Sequence, residues 1–573
     1  MGDDVCSPIV LGICSFTHDS AAALIVDGKL VGFVEEERLD GIKHTKAFPG
    51  NAVVWLLNQA GLTVQDIDAV AYNFEGEHYL NALAQTQTWR ADPRTRGLAQ
   101  ARADSFVKVH GRYLKRIREL ADRFPKAAVV PTLHHRAHGL YAFASSGYEE
   151  AAVLVVDSLG EVQSTSIGHG RRTDPGCRYD IVEAIEDPAS LGYAYGAVTE
   201  HLGWRRGDEE GTVMALAALG DPRRFRDLFA RAITLTEHGF ALDPTLLPLR
   251  VLSSGHSRIS AAFTEATCPA RQGGEPIEAI HADVAAALQE RTEQVMVHLA
   301  RRVRDVTGSR LLCLGGGVAA NCVAVGKIVQ TGIFDEVHVP PAPGDSGTAI
   351  GAATSVYLQE AGRLPVGVTG RCYLGPDFAG YVPPGQPPPG WSVTRPEQPA
   401  QLLAERLAAG DIVGLFHGPL EAGPRALGNR SILASPMLPD VVARLNATVK
   451  YREPFRPFAP VVLAEAAGDY FTLPQPSPYM SIASGVTALT WEQIPAVVHV
   501  NDTARVQTLT RDQNPFLADV LCAFAAITGV PVLINTSLNI KGKPICGTPQ
   551  MALDCLLHSG MDALLIEGWW VST

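Results

Sequence analysis

No apolar run in the 573 residues reaches the length of a membrane span, so no segment reads as a helix that crosses a bilayer. An excess of positive charge is also missing. The formal net charge of -12 argues against a broad nucleic-acid footprint, which needs clustered Lys and Arg to displace phosphate counterions. The ten cysteines are scattered from Cys6 to Cys555 without a C-x-x-C pair, which removes thiolate metal knuckles and dithiol redox motifs. A disulfide framework is not expected in a chain this long without a secretory leader. Cys313, Cys322 and Cys522 lie in apolar segments and read as small buried hydrophobes. Met1-Gly2-Asp3-Asp4 carries no basic leader, and Ser7 stands one position too far for a myristoylation signal. The expectation is a cytoplasmic protein without a membrane partner.

What is present is a packed α/β chain: 46% apolar and 19% charged residues fit a globular enzyme, and the length calls for two to four domains. Strands are predicted at Ile9–Ile13, Ala21–Val26 and Leu30–Val34, the last two joined by an Asp27-Gly28 hairpin turn. A helix follows from Pro49 to Gly61. The plan recurs at Ala151–Val156, with Asp157-Ser158-Leu159-Gly160 read as a polar turn and a further strand through Ser166 and Ile167. Each repeat has an acidic residue leaving its first strand, Asp19 and Asp157. Duplication of this sort is how the actin/Hsp70 architecture looks in a sequence. The period of Ile280, Val284, Leu288, Val295, Leu299 and Val303 predicts a helix over 277–306. It leads to a strand at Leu311–Leu314 and a second helix beginning near Ala319.

A Pro/Gly-rich stretch, 363–396, with Pro383-Pro384 and Pro387-Pro388-Pro389, reads as a linker. It separates a domain at 1–362 from an α/β domain at 397–573. In the latter, helices are predicted at 402–409, 517–528 and 549–558, and strands at 412–417, 530–534 and 563–566.

His134-His135-Arg136-Ala137-His138, if helical, puts His134 and His138 one turn apart on one face, where two imidazoles reach one cation. Asp157 and Asp345 each follow an apolar strand and add oxygen ligands. Gly315-Gly316-Gly317, between strand and helix with Asn321 one turn in, offers unhindered N–H groups to phosphate. Gly344-Asp345-Ser346-Gly347-Thr348 is a second loop of this sort. His18-Asp19 and Lys43-His44, the latter after the acidic run Glu35-Glu36-Glu37-Arg38, admit two readings: a solvated face, or a histidine base beside a carboxylate. In the C-terminal domain, Gly423 to Arg430 and Lys450 to Pro457 concentrate Arg and Lys in proline- and glycine-interrupted loops that suit a phosphate or carboxylate. Asn535 to Asn539, leaving a strand, adds amide and hydroxyl donors.

The ordered segments HDSAAALIVDG, EEERLDGIKHTKAFP, HHRAH, GGGVAAN, GPRALGNRS, REPFRPFAP and LINTSLN resemble the carbamoyltransferase family of nodulation and antibiotic-biosynthesis enzymes over nearly the whole chain. The resemblance implies an N-terminal actin/Hsp70-like domain akin to the threonylcarbamoyl-transferase half of the tRNA-modification system. It implies a C-terminal YrdC-like domain akin to the carbamoyl-adenylate synthase of that system. ATP, with Mg²⁺, and carbamoyl phosphate would give carbamoyl adenylate, whose carbamoyl group passes to a hydroxyl of a small molecule such as a sugar of a natural product. By resemblance, His134, His138, Asp157 and Asp345 hold a metal, usually iron. His18 orients the acceptor hydroxyl with Lys43, and Gly160, Gly315, Gly316, Gly317 and Asn321 hold the adenylate. Arg425, Arg430, Lys450, Arg505, Asn535 and Ser537 bind carbamoyl phosphate and ATP.

Three positions depart from the family pattern. Pro419 stands where relatives have arginine, Leu538 where they have phenylalanine, and Thr212 where they have the lysine of Gly-Lys-x-Met-Gly-Leu-Ala. Two other readings share parts of the pattern. One is a tRNA threonylcarbamoyl-adenosine enzyme, against which the net charge weighs. The other is a non-enzymatic nucleotide-binding protein on the Hsp70 plan, which leaves HHRAH and the Arg/Lys loops without a purpose. The acceptor pocket is expected from 73–124 and 223–273. The oligomeric state stays open, a homodimer included.

Overall fold

The computed structural model describes residues 7–173, 176–252, 255–384, 388 and 390–572. Met1 to Asp4, Cys6, Pro387 and Pro389 lie outside the described residues. The chain forms two compact units, Met1–Phe33 with Val53–Arg371 and Val34–Ala52 with Cys372–Thr573. The segment 34–52, which the sequence reading assigned to the first domain, thus folds with the second unit.

In the first unit one sheet has the order β3-β2-β1-β4-β5, from β1 (Val10–Cys14), β2 (Ala21–Val26), β3 (Lys29–Glu35), β4 (Ala69–Tyr72) and β5 (Ala128–Pro131). Asp27 and Gly28, both at positive φ, close the expected hairpin between β2 and β3. The other large sheet contains β6 (Glu150–Gly160), β7 (Gln163–Arg172) and β8 (Cys177–Glu186). After a separate hairpin of β9 (Ile233–Thr236) and β10 (Gly239–Leu242) come its last strands, β11 (Leu311–Gly315) and β12 (Glu336–His338). Its order is β12-β11-β6-β7-β8. In both sheets the first strand pairs antiparallel with the second and parallel with the fourth, which is parallel to the fifth. Two sheets with one strand order are the duplicated actin/Hsp70 plan expected from the sequence.

The helices of this unit are α1 (Gly50–Ala60), which runs in from the second unit, α2 (Arg96–Arg123), α3 (His134–Ser146), α4 (Leu191–His201), α5 (Glu210–Ala217), α6 (Ala279–Thr307), α7 (Cys322–Gln330) and α8 (Thr348–Ala361). α8 packs against α3 and β1. These contacts are backbone-close: a Cβ on Gly12 would overlap the Ala349 carbonyl, and one on Gly351 the Ala137 carbonyl.

Three local expectations change. Asp157 to Gly160 is not a turn, because β6 continues to Gly160 through a register shift after Val156. Such a bulge turns Asp157 off the regular ladder. Asn321 is the N-cap of α7, its side chain accepting the Ala324 N–H at 3.0 Å, after a 3₁₀ turn over Gly317–Ala320. Cys313 and Cys322 are buried, but Cys522 is exposed, because it falls on the outer face of its helix.

The second unit is built on a nine-stranded sheet, order β13-β21-β20-β14-β15-β19-β16-β18-β17. Its strands are β13 (Ser392–Thr394), β14 (Val413–Phe416), β15 (Arg430–Ala434), β16 (Ala459–Leu463), β17 (Ile482–Gly485), β18 (Thr503–Leu509), β19 (Val532–Ser537), β20 (Ala563–Ile566) and β21 (Trp569–Ser572). α9 (Pro399–Ala408), α10 (Pro515–Thr528) and α11 (Pro549–Leu557) cover it. A core of Phe416, Phe458, Leu521, Phe524 and Val532 is sealed from solvent. Arg430 opens β15 and Lys450 ends a π-helical turn over Leu445–Lys450, so neither sits in the loops the sequence assigned them to. Asn535 and Ser537 lie inside β19, opposite Leu433 and Ser431. No described helix is long and apolar enough to cross a membrane.

Candidate metal and anion sites

In the first unit the first two turns of α3 present His134 and His138, the β6 bulge presents Asp157, and the turn before α8 presents Asp345. All four are buried and their donor atoms lie within 4.8 Å of one another. His134 Nε2 is 3.1 Å from His138 Nε2 and 3.5 Å from both Asp157 Oδ2 and Asp345 Oδ1. His138 Nε2 is 3.7 Å from Asp345 Oδ1. Ligands at metal bonds of about 2.1 Å stand roughly 3.4 Å apart when tetrahedral and about 3.0 Å when octahedral, so the donor set fits one cation.

Surrounding groups aim these donors. His134 Nδ1 is 3.2 Å from the Asn73 carbonyl, which leaves Nε2 to a metal. Phe74 stacks on the His134 ring at 4.3 Å. The Gly317 N–H donates to Asp157 Oδ1 at 2.9 Å. Gly160 leaves room for α3, since a Cβ there would lie 2.8 Å from His134 Cβ. Burial opposes charge at His134, yet Asp345 and Asp157 hold its pKa well above the usual histidine range. Burial likewise opposes charge at Asp345, and His18, His134 and His138 hold it well below the usual carboxylate range. Protons here occupy the electrostatic place of a cation.

His18 sits at the rim. Its Nδ1 is 2.9 Å from Asp19 Oδ2, its Nε2 3.7 Å from Asp345 Oδ2, and its side chain is 44% exposed. Desolvation lowers its pKa, and Asp345 and Asp19 more than reverse this, to about 10. Gly316, at φ 87°, passes so near β6 that a Cβ would overlap the Val156 carbonyl. Asn321 caps α7 and exchanges hydrogen bonds with Gln289 at 2.9 and 3.2 Å. Thr212 on α5 is fully buried with an unpartnered Oγ1. Lys43, half-buried, belongs to the 34–52 segment of the second unit. Glu161, which the sequence reading passed over, accepts the N–H groups of His134 and Glu75 at 3.2 and 2.9 Å. Burial raises its pKa to about 7. A lone acidic residue after Gly160 carries no pattern that would have shown it.

In the second unit the cations gather around β18, β19 and the π turn. The Lys450 ammonium donates to the Ser537 carbonyl, to Ser537 Oγ at 3.3 Å and to Asn539 Oδ1 at 2.8 Å. Burial, then the nearby Arg452 charge, pushes its pKa down to about 7. Burial and the charges of Arg456 and Arg505 lower Arg452 to about 9. Lys450, Arg452, Arg456 and Arg505 therefore repel one another, an arrangement that an anion relieves. Arg452 and Arg456 were legible in REPFRPFAP but were not singled out. Half-buried Arg425 stands in the loop after Glu421. Asn535 donates to Gln507 Oε1 at 2.7 Å and to the Ala426 carbonyl at 3.2 Å, while its Oδ1 is buried without a partner.

Arg430 does something else. Its guanidinium donates to the carbonyls of His417, Gly418, Asn429 and Pro376 at 2.9 to 3.3 Å and lies 3.6 Å over Phe416. It holds three loop strands together from inside. Pro419 takes the Asn429 side-chain amide on its carbonyl at 2.7 Å, and Leu538 is fully buried.

Two family models match the chain in succession. A model described as Carbamoyltransferase N-terminus matches residues 9–354, and one described as Carbamoyltransferase C-terminus matches residues 404–573. An uncharacterised Synechocystis protein is 35% identical over 609 residues, covering 98% of this chain and 96% of its own. Nodulation protein NolNO of Sinorhizobium fredii is 33% identical, covering 97% of this chain and 79% of its own length. Nodulation protein U of the same species is 31% identical, with 93% and 94% covered. Among solved structures, HypF of T. kodakarensis superposes with a TM-score of 0.31 at 12% identity, covering 62% of this chain and 49% of its own. A ROK hexokinase of Thermus thermophilus gives 0.29 at 16% identity, with 61% and 99% covered. At that level neither adds to the fold read from the strand order. The chain belongs to the carbamoyltransferase family, and it is a carbamoyltransferase.

Proposed function

We propose that the chain is an ATP-dependent O-carbamoyltransferase acting in three balanced steps. Carbamoyl phosphate and water give carbamate and phosphate. Carbamate attacks the α-phosphate of ATP, forming carbamoyl adenylate and releasing pyrophosphate. An acceptor hydroxyl then attacks the carbamoyl carbon, the C–O bond to AMP breaks, and a carbamate ester and AMP leave. The observation that carries this reading is that one chain holds a cationic cluster suited to an anion in one unit and a buried His/His/Asp/Asp group suited to a cation in the other.

Lys450, Arg425, Arg452 and Arg505 receive the phosphates of carbamoyl phosphate and Mg²⁺-bound ATP. Asn535, whose Oδ1 lacks a partner, and Ser537 take the carbamoyl amide and its oxygens. Arg430 shapes the loops and does not touch substrate. In the first unit His134, His138, Asp157 and Asp345 hold a divalent metal, Fe²⁺ by family resemblance, which supplies positive charge to phosphate oxygens. Gly317 and its neighbours keep the loop close to Asp157, and Asn321 fixes the start of α7. His18, held by Asp19 at 2.9 Å, orients the acceptor hydroxyl at the rim of the metal group. The acceptor is a small hydroxyl compound, a sugar of a natural product by family resemblance, and the reaction is cytoplasmic.

Exchange of labelled pyrophosphate into ATP tests the first half. The exchange is expected only with carbamoyl phosphate present and is expected to fall at least a hundred-fold in Arg505→Ala. Exchange that is indifferent to carbamoyl phosphate sinks the proposal.

A further inference from the structure

Three arginines from the segment after α4 lie along one face of that helix. Arg250 stands 5.0 Å over the Tyr193 ring. One turn on, the Arg206 stem lies flat on Gly196, where a Cβ would come within 2.9 Å of Arg206 Cγ. A further turn on, Arg258 pairs with Glu200 at 2.8 Å. Tyr193, Gly196 and Glu200 share a face, and seven residues of helix span about 10 Å.

The stripe begins at the metal group. The α4 N-cap Ser190 donates to the Ser158 carbonyl at 2.7 Å. Arg250 donates to the same carbonyl at 2.6 Å and to Ser158 Oγ at 3.1 Å. Ser158 follows the candidate ligand Asp157.

The acidic side chains nearby are already engaged. Asp187 pairs with Arg102 and lies 3.8 Å from Arg250 Nη1, and Arg102 donates to the Arg250 carbonyl at 2.6 Å. Glu200 holds Arg258, and Glu210 accepts the Gly207 N–H at 2.6 Å. Arg206, among the described residues, makes no hydrogen bond or ion pair and is exposed.

We propose that Arg206, Arg250 and Arg258 bind an anionic group of the acceptor, a phosphate or carboxylate carried within about 10 Å of the hydroxyl that receives the carbamoyl group. This rests on the transferase reading above and adds the substrate class to it. The planar forks of arginine suit either anion, and Arg250 ties the row to Ser158, the neighbour of Asp157.

The test is calorimetric binding of glucose 6-phosphate, glucuronate and glucose to the full chain saturated with AMP and carbamoyl phosphate, which occupy the nucleotide and C-terminal sites. At least one anionic sugar is expected to bind ten-fold or more tightly than glucose. The preference is expected to vanish in Arg206→Ala/Arg258→Ala. Should the double variant not fold, Arg206→Ala alone, exposed and without an ion pair, is expected to lose at least three-fold. No preference in the wild type, or a preference that survives the variants, overturns the proposal. Loss of AMP affinity in the double variant also overturns it, by giving the arginines to the nucleotide. Pyrophosphate exchange on the same preparations separates the two readings. Exchange without the sugar preference removes this inference alone, and the preference without exchange removes the transferase reading.

Discussion

His134 and His138, one turn apart at the start of one helix, bring their Nε2 atoms to 3.1 Å from each other, with His134 Nδ1 turned away to the Asn73 carbonyl. Two imidazoles so placed, with two buried carboxylates beside them, repel or share a proton unless a cation lies between. The protein as purified is therefore expected to carry close to one equivalent of a divalent metal by elemental analysis. His138→Ala and Asp345→Asn are each expected to weaken retention roughly 100-fold or more, at or beyond the loss that second-shell changes produce. Chelation is expected to lower the melting temperature by mass action.

Lys450 makes anion binding pH-dependent. Its pKa in the folded chain is about 7, against about 10.4 unfolded. Below pH 7 both states carry the proton and the burial penalty is present in full. Between 7 and about 10 only the unfolded state carries it, so this residue's penalty is lifted as pH rises. An anion pulls the proton back. Phosphate affinity is expected to fall as pH rises above 7, with proton uptake on binding visible in buffers of different ionisation enthalpy. Lys450→Gln is expected to flatten that dependence.

Arg430 is expected to matter for stability rather than for substrate affinity. Arg430→Ala removes the guanidinium from the His417 and Gly418 carbonyls, weakens the ties to Asn429 and Pro376, whose carbonyls keep a backbone donor, and uncovers the Phe416 ring, a loss of roughly 2 to 4 kcal/mol. Arg430→Lys is not expected to restore it, because one ammonium cannot reproduce a planar fork. Denaturant unfolding of the two variants checks both statements.

Gly316→Ala combines a left-handed backbone at φ 87° with a clash against the Val156 carbonyl. Strain of this sort costs about 1 to 3 kcal/mol. Because Gly317 holds Asp157 by its N–H, the variant is expected to lose metal as well as stability. Metal content and melting temperature are the readouts.

Much of this was legible in the sequence because it is periodic or local. The HHRAH spacing needed only one turn of helix, the Asp27-Gly28 hairpin only its own two residues, and the long apolar period of α6 only itself. The strand–turn–strand repeat gave the duplicated sheets. What the sequence hid depends on tertiary context. Asp157 looked like a turn residue because a bulge leaves no compositional mark. The carbonyl contacts of Arg430 were hidden because an arginine that ties main-chain loops has the same neighbours in sequence as one that grips phosphate. Cys522 looked buried because the apolar helix around it does not reveal which face packs. The arginines along α4 come from positions 206, 250 and 258, and only the fold brings them to one helix face.

The most direct test of the central claim is mass spectrometry of the protein incubated with Mg²⁺, ATP and carbamoyl phosphate without acceptor. The account predicts carbamoyl adenylate and stoichiometric pyrophosphate, both abolished in Lys450→Ala. Adenylate formed from bicarbonate and threonine, with none from carbamoyl phosphate, would contradict it.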